Sequence, residues 1–457
     1  MPSKLRIHSL VISSVAAAAF FAGACGSDGG KANDTGKCTQ GDTRACLGPG
    51  QCNGAQSCVT NGVWSACDCG GVGGAAGVGG GATGGAAGGG GAGGSAGTSA
   101  GGSSGDSGTG CTSGPNDDMD QDGFTVAAGD CNDCDDEVGP GAIEVGGNAK
   151  DDDCNGQIDE AFVPCDDTVA LDEKDSLTAA KSIELCKKAT GQKDWGLVSA
   201  KWVLPDGIAV PTTNEAEFHL GHGVLGAFGA SGKVQAGKKL LALSSGTARQ
   251  PSDAGYLSPS GWDKGITSGS PAGFPKESPA CPAVIPGAPH DGVALEVEVR
   301  VPTNAVGFSF DSAFYTFEWP DYVCGTYGDF FLALLSPIPS GQKDANVLFD
   351  AQGNPMSVNS VLIDVCSCTG GPPCTAGGKT YSCAQGATLL AGTGFEGHAA
   401  TGWMVTTVPA SGGTTVTMRF TVYDSGDGLL DSTALVDNWT WITSGPAPAG
   451  PTTKVKP

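Results

Sequence analysis

Two short acidic runs carry the chemistry most readily read from this chain. In the first, Asp118, Asp120 and Asp122 alternate with other residues and Gly123 follows, a D-x-D-x-D-G pattern. In the second, Asp151, Asp153 and Asn155 repeat the spacing, with Gly156 in the same place and Asp159 and Glu160 close behind. When a chain coils around a cation, alternate side chains converge on it, the glycine permits the sharp turn, and a backbone carbonyl adds a further ligand. An all-oxygen set favours a hard cation, calcium above all, over softer metals. Between the runs, Asp130, Asp135 and Asp136 supply more carboxylates. The twelfth loop position counted from Asp118 is Gly129 rather than a bidentate glutamate, and no helical pattern flanks either run, so neither is an EF-hand. A zinc site built on Cys131, Cys134 and Cys154 lacks a second pair of ligands.

Between Asp117 and Glu160 lie 12 Asp, 3 Glu and one Lys, more than half of the net charge of −24 in about a tenth of the chain. That balance excludes nucleic acid as a partner, since phosphates need Lys and Arg, and it disfavours anionic lipid head groups. The bland alternative is a solvated acidic linker. The glycine turns and the interleaved Cys131, Cys134 and Cys154 argue against it.

The elements around these runs divide the chain into parts. Lys4 and Arg6 precede an apolar run, Leu10 to Phe21, that closes on Ala22, Gly23 and Ala24. A basic start, a short apolar core and a small-residue exit predict a secretory signal over 1–24. The run is too short to span a bilayer comfortably. Residues 25–37 read as a polar tether, 38–69 as a small Cys-rich module and 70–110 as a Gly/Ala/Ser linker. The linker's 41 residues reach roughly 35 Å as a coil. Residues 111–160 form the acidic segment, 161–445 a large β-rich domain, and 446–457 a flexible tail.

The small-residue exit followed at once by Cys25 resembles the bacterial lipobox, with Ala22 where leucine is usual. The resemblance implies a lipid on Cys25 that tethers the protein to a membrane. Gly26 rather than Asp resembles the sorting pattern for the outer-membrane surface. The alternative is ordinary signal cleavage, with Cys25 left a thiol. Cysteine numbers fit the lipid. Of 19 Cys, removing Cys25 leaves 18, which fall as six in 38–69, four in 111–160 and eight beyond. Even counts in an exported chain predict disulfides closed within each module, with the pairing left open.

The large domain reads mainly as strands. Val293 to Val301 and Thr415 to Val422 alternate apolar and polar residues with period 2, the mark of half-buried antiparallel strands. Val306 to Phe310 and Trp403 to Val408 are further candidates, and Phe330 to Leu335 is a continuous apolar run suited to a buried strand. Gly- and Pro-rich turns between them predict a mainly β fold, a β-sandwich or jelly-roll-like domain. A helix is expected over Asp175 to Lys188, with Cys186 on its buried face stapling it to the sandwich.

The stretch from Asp118 to Glu160, with Asp130-Cys131, Asp135-Asp136 and Pro140 to Glu144 between the runs, resembles the MopE-type metal-binding motif of bacterial surface proteins. It departs from it at Gly146 and Gly147, where a cysteine is often found. The resemblance implies copper, whereas the carboxylate ligands suit calcium. Residues 38–69, with Cys38, Cys46, Cys58, Trp64 and Cys67, resemble short Cys-rich units that often precede this motif. Leu240 to Gly246, Phe308 to Val323 with Gly328 to Phe331, and Val422 to Ser432 before Trp439 and Trp441 resemble the choice-of-anchor L domain of bacterial extracellular proteins. That resemblance implies a β-rich domain on an anchored surface protein, with no assigned catalytic residues. Asp424, Asp427 and Asp431 either cap a tight turn, the favoured reading, or form a second cation site.

An enzyme is not expected. His219 and His222 are three apart, yet Gly221 and Gly223 oppose a helix that would align them. No G-x-S-x-G elbow occurs within 161–445, and Ser244 and Ser245 have no assigned base. The two histidines converged with a carboxylate in a cleft would favour a secreted hydrolase. The expected function is a lipid-anchored surface protein whose sandwich binds an extracellular glycan or protein. Copper capture and a passive envelope role are the other readings. An exposed aromatic patch near Trp319 and Tyr322 would favour recognition over the passive role.

Overall fold

A computed structural model of the chain describes residues 111–457, apart from Gln192, Ser231 and Pro457, and the backbone of three strands nearer the N-terminus. The expectations for the signal, Cys25, the tether, the linker and the cysteines of 38–69 lie outside the described residues. The chain divides into two compact units, 1–103 and 104–457. In the first, β1 (Thr43–Leu47), β2 (Asn53–Val59) and β3 (Val63–Trp64) form an antiparallel sheet in that order.

The second unit is mainly β. Its strands are β4 (Gly196–Val203), β5 (His222–Leu225), β6 (Ala227–Phe228), β7 (Gly232–Lys233), β8 (Leu240–Ser244), β9 (Pro289–Arg300), β10 (Gly307–Thr316) and β11 (Phe330–Ser336). They continue with β12 (Cys374–Ala376), β13 (Lys379–Tyr381), β14 (Ala399–Ala400), β15 (Met404–Pro409), β16 (Thr415–Ser425), β17 (Ser432–Ile442) and β18 (Thr452–Val455). One sheet runs β18-β15-β10-β17-β8-β5, with β14 on the end of β10, and the other runs β11-β16-β9-β4. β6 pairs with β7 and β12 with β13.

The alternation fixes which faces meet. Val293, Leu295, Val297 and Val299 of β9 and Val416, Met418, Phe420 and Val422 of β16 point inward. They meet Phe308, Phe310 and Phe314 of β10, Leu241 and Leu243 of β8 and Val436 of β17 in one core. Each fully buried side chain of this size contributes about 1.5–3 kcal/mol. Their partners Glu296, Glu298 and Arg419 face outward, and Arg419 Nη2 meets Glu296 Oε2 at 2.5 Å. The continuous run on β11 is also explained. Phe331, Ala333 and Leu335 enter the main core, whereas Phe330, Leu332 and Leu334 pack beneath Phe274 and Tyr423 on the other face.

Three expectations need correction. The helix is far shorter than Asp175 to Lys188. α1 (Ser176–Ala179) passes into a 3-10 turn, Ala180–Ile183, and ends where Glu184 takes a left-handed φ of 65°. Asp175 does cap it, accepting from Thr178 N at 2.7 Å. Cys186 bonds to Cys165 in the preceding segment, not to a sandwich strand. The tail is not loose, because β18 lies along β15 from Met404↔Val455 to Thr407↔Thr452.

Disulfides among the described cysteines close within their regions. Cys111–Cys134 and Cys131–Cys154 lie in the acidic segment. Cys165–Cys186, Cys281–Cys324, Cys366–Cys383 and Cys368–Cys374 lie beyond it. Among the described residues no helix is long and apolar enough to cross a membrane.

Candidate metal centre

The acidic segment has almost no regular structure, a single 3-10 turn at Val126–Ala128. Its shape comes from the two crossed disulfides, a small core of Phe124, Val138 and Ala142, and carboxylates that accept backbone N–H groups. Gly123 and Gly156, the sixth residue of each run, have φ of 97° and 90°, the left-handed region that a turn there requires. Asp122 Oδ1 accepts from Phe124 N at 2.7 Å and Asp120 Oδ2 from Asp135 N at 2.8 Å. Asp130 Oδ1 accepts from Asn132 N at 2.9 Å.

These bonds leave other oxygens facing one another. Asp118, Asp120 and Asp122 bring one oxygen each within 4.8 Å of the others, and Asp120, Asp130 and Asp133 do the same. Asp120 belongs to both trios, so the first run and the middle stretch build one continuous acidic centre. A third trio, Glu144, Asp153 and Glu160, sits on the second run. Each of these groups can hold a metal ion. Three oxygens there, Asp122 Oδ2, Asp130 Oδ2 and Glu160 Oε2, are buried and accept no hydrogen bond. Asp130 is only 3 % exposed. A buried carboxylate oxygen left unpaired is costly, and an ion between such oxygens removes that cost. The donors are all oxygen, so the set fits a hard cation and not a thiophilic one.

The electrostatics agree. Burial, reinforced by the neighbouring Asp charges, pushes Asp130 up to about 6 and raises Asp122 above its ordinary value. Burial likewise raises Glu144 and Asp153, each with Glu160 as a repelling neighbour.

Of the residues singled out in the sequence, Asp118, Asp120, Asp122, Asp130, Asp153 and Glu160 join these trios. The others are placed differently. Asp135 pairs with Lys150, and Asp136 is exposed. Asp151 accepts from Asn155 N and Gly156 N, shaping the second turn. Asp159 accepts from the amides of Gly147, Asn148 and Ala149. The Asn155 amide Nδ2 donates to Glu160 Oε1. Asp133 and Glu144 were missed. Neither fits the D-x-D-x-D-G spacing, and the second-run trio forms only because the chain returns on itself, with Glu144 accepting from Asp159 N and Asp152 N at 2.7 and 3.1 Å.

Elsewhere, Trp319 is buried and packs edge-on against Tyr381, so the exposed aromatics there are Tyr322 and Tyr327. His219 Nδ1 and His222 Nε2 lie 2.6 Å apart and His222 stacks on Trp202, with no carboxylate hydrogen-bonded to either ring among the described residues. A cavity of about 390 Å³ opens where the acidic segment meets the sandwich, lined by Glu144, Glu184, Trp195, Trp439 and Trp441 among others. Asp427 caps the turn after β16, accepting from Leu429 N, whereas Asp424 and Asp431 are buried.

No protein-family profile, curated protein or solved structure matches this chain.

Proposed function

We propose that this chain is an exported, lipid-anchored surface protein in which calcium rigidifies the acidic segment and the sandwich recognises an extracellular glycan or protein. The observation that carries the calcium reading is the trio of buried oxygens without partners, on Asp122, Asp130 and Glu160, inside clusters of carboxylates. Calcium accepts six to eight oxygen ligands in flexible geometry, which suits irregular loops. Copper, implied by the MopE-type resemblance, finds no imidazole or thiolate in these clusters, since Cys131, Cys134 and Cys154 are all in disulfides. Six disulfides among the described residues support an oxidising compartment. The small-residue exit before Cys25 supports the lipid.

The cavity beside Trp195, Trp439 and Trp441 supports recognition, because indole faces and edges suit both sugar rings and peptide side chains. The reading assigns no catalytic role to the chain.

The test is calorimetric titration of calcium into the oxidised, metal-stripped protein, with copper and zinc alongside. Saturable calcium binding that weakens in the Asp120→Ala, Asp153→Ala double variant is expected. Flat calcium traces with tight copper binding would move the protein to metal capture. Recognition is tested by binding to isolated cell-surface fractions, with Trp441→Ala as the comparison. Binding to none of them would leave a passive envelope component.

A further inference from the structure

Asp120 stands where two groups of carboxylates meet. Asp118, Asp120 and Asp122 bring one oxygen each within 4.8 Å of the others, and Asp120, Asp130 and Asp133 do the same. Calcium–oxygen bonds of about 2.4 Å place all the ligands of one ion within about 4.8 Å of one another. The five carboxylates fall into two such groups and not into one. Two ion positions therefore fit them better than a single one.

The oxygens of Asp120 are divided between the two loops. Its Oδ1 accepts from Asp122 N in the first run at 3.2 Å, and its Oδ2 accepts from Asp135 N in the middle stretch at 2.8 Å. A carboxylate oxygen can accept twice, so each keeps a lone pair for a cation. The third trio, Glu144, Asp153 and Glu160, shares no residue with either group.

Each of the two groups also holds an oxygen that the protein leaves unsatisfied. In the first it is Asp122 Oδ2, and in the second it is Asp130 Oδ2. Asp130 and Asp133 are each only 3 % exposed. Asp130 Oδ1 is taken by Asn132 N at 2.9 Å, and Asp133 accepts from Met119 N at 3.2 Å and from the Ser113 hydroxyl. Among the described residues no Lys or Arg forms an ion pair with any of the five, since Lys150 turns to Asp135 instead. One divalent cation among five carboxylates leaves three negative charges uncompensated, whereas two cations leave one.

We propose that the first run and the middle stretch bind a pair of calcium ions, with Asp120 as the carboxylate shared between them. Asp118 and Asp122 complete one site, and Asp130 and Asp133 complete the other. The pair rests on the calcium reading of the acidic segment and adds to it the number of ions and the bridging ligand.

The experiment is equilibrium dialysis of radioactive calcium, at saturation, against the oxidised, chelator-stripped full chain. In Asp153→Asn, which disables the second-run trio, two ions per chain are expected. In the otherwise native chain, Asp130→Asn is expected to remove one ion and Asp120→Asn two. The ion retained by Asp120→Asn at the second run shows that the segment still folds. Because Asp120→Asn can disorder the loops, a second measurement keeps Asp120 in place. Terbium and europium, hard cations that take calcium's oxygen sites, are loaded together onto Asp153→Asn. Energy transfer between them is expected, since the two ions of one chain are adjacent. A single ion in Asp153→Asn, or no energy transfer, overturns the pair and leaves the calcium reading standing. An Asp120→Asn loss no greater than that of Asp130→Asn overturns the shared ligand. No calcium on the wild type overturns the calcium reading and the pair together.

Discussion

Asn304 and Ile143 exchange a pair of hydrogen bonds across the junction of the acidic segment and the sandwich. Ile143 N donates to Asn304 Oδ1 at 3.0 Å, and Asn304 Nδ2 donates back to Ile143 O at 2.9 Å. Thr303 N adds a bond to Gly141 O at 2.9 Å. One side chain in the turn between β9 and β10 therefore acts as a strand would, pairing with the Pro140 to Glu144 stretch. Asn304→Ala is expected to cost about 1–3 kcal/mol by leaving two backbone groups without partners. Hydrogen exchange at Ile143 should quicken while exchange in β9 does not. Unchanged protection at Ile143 would mean that the junction is held by other contacts.

The Cys131–Cys154 disulfide links the middle of the acidic segment to its second run across 23 residues. Replacing both cysteines by serine is expected to lower stability by about 2–4 kcal/mol, chiefly by freeing the unfolded chain. Calcium affinity should fall with it, because binding must then order loops that were already ordered. Melting curves with and without calcium check both effects. An affinity that survives the loss would show that the carboxylate trios assemble without the bond.

Glu184, half-buried at the end of the 3-10 turn, faces the buried Asp437 of β17, a like-charged pair. Burial, then the facing Asp437 charge, pushes Glu184 up to about 8, while Asn438 N donates to its Oε2 at 2.7 Å. The folded state therefore holds a proton that the unfolded chain releases in the ordinary glutamate range. Stability from this source is complete below about pH 4 and declines as pH rises toward about 8, by at most about 1.4 kcal/mol per pH unit. Glu184→Gln, which keeps the neutral shape, should make the decline between about pH 5 and about pH 8 shallower. Denaturant titrations across that window decide it, and equal slopes would refute the shared proton.

Lys456 carries the only ammonium group that pairs with Asp311 among the described residues. Asp311 is 1 % exposed and otherwise receives Asn438 Nδ2 at 2.8 Å. Lys456→Met is expected to destabilise by about 1–3 kcal/mol, because the buried carboxylate loses a charged partner. Lys454→Ala, an exposed change on the adjoining strand β18, should stay within about 0.5 kcal/mol of wild type. Thermal melts of the two variants separate the buried pair from the strand's general contribution.

The sandwich was legible where the pattern was local and repeated. Val293 to Val301 lies almost wholly within β9, and Thr415 to Val422 lies within β16, since period-2 alternation on a half-buried strand is written directly into side-chain order. The helix was misjudged because its periodicity ran on past Glu184, whose left-handed backbone ends the 3-10 turn and whose side chain accepts from Asn438 N on a distant strand. β18 gave no signal, since only Thr453 of its four residues is buried and an edge strand needs little more. The acidic runs were legible because each turn is self-contained. Asp133 and Glu144 were not, since disulfides and backbone reversals bring them in.

β18 occupies the hydrogen-bonding edge of β15 that any incoming strand would need. Four residues are enough to close it, and they are joined to β17 by a short segment, 443–451, rich in proline and glycine. A cut in that segment would not open the core. It would instead expose a ladder of unpaired amides and carbonyls at the rim of the larger sheet. Such a rim can pair with the matching strand of another copy, so proteolytic trimming here is expected to favour strand exchange between molecules.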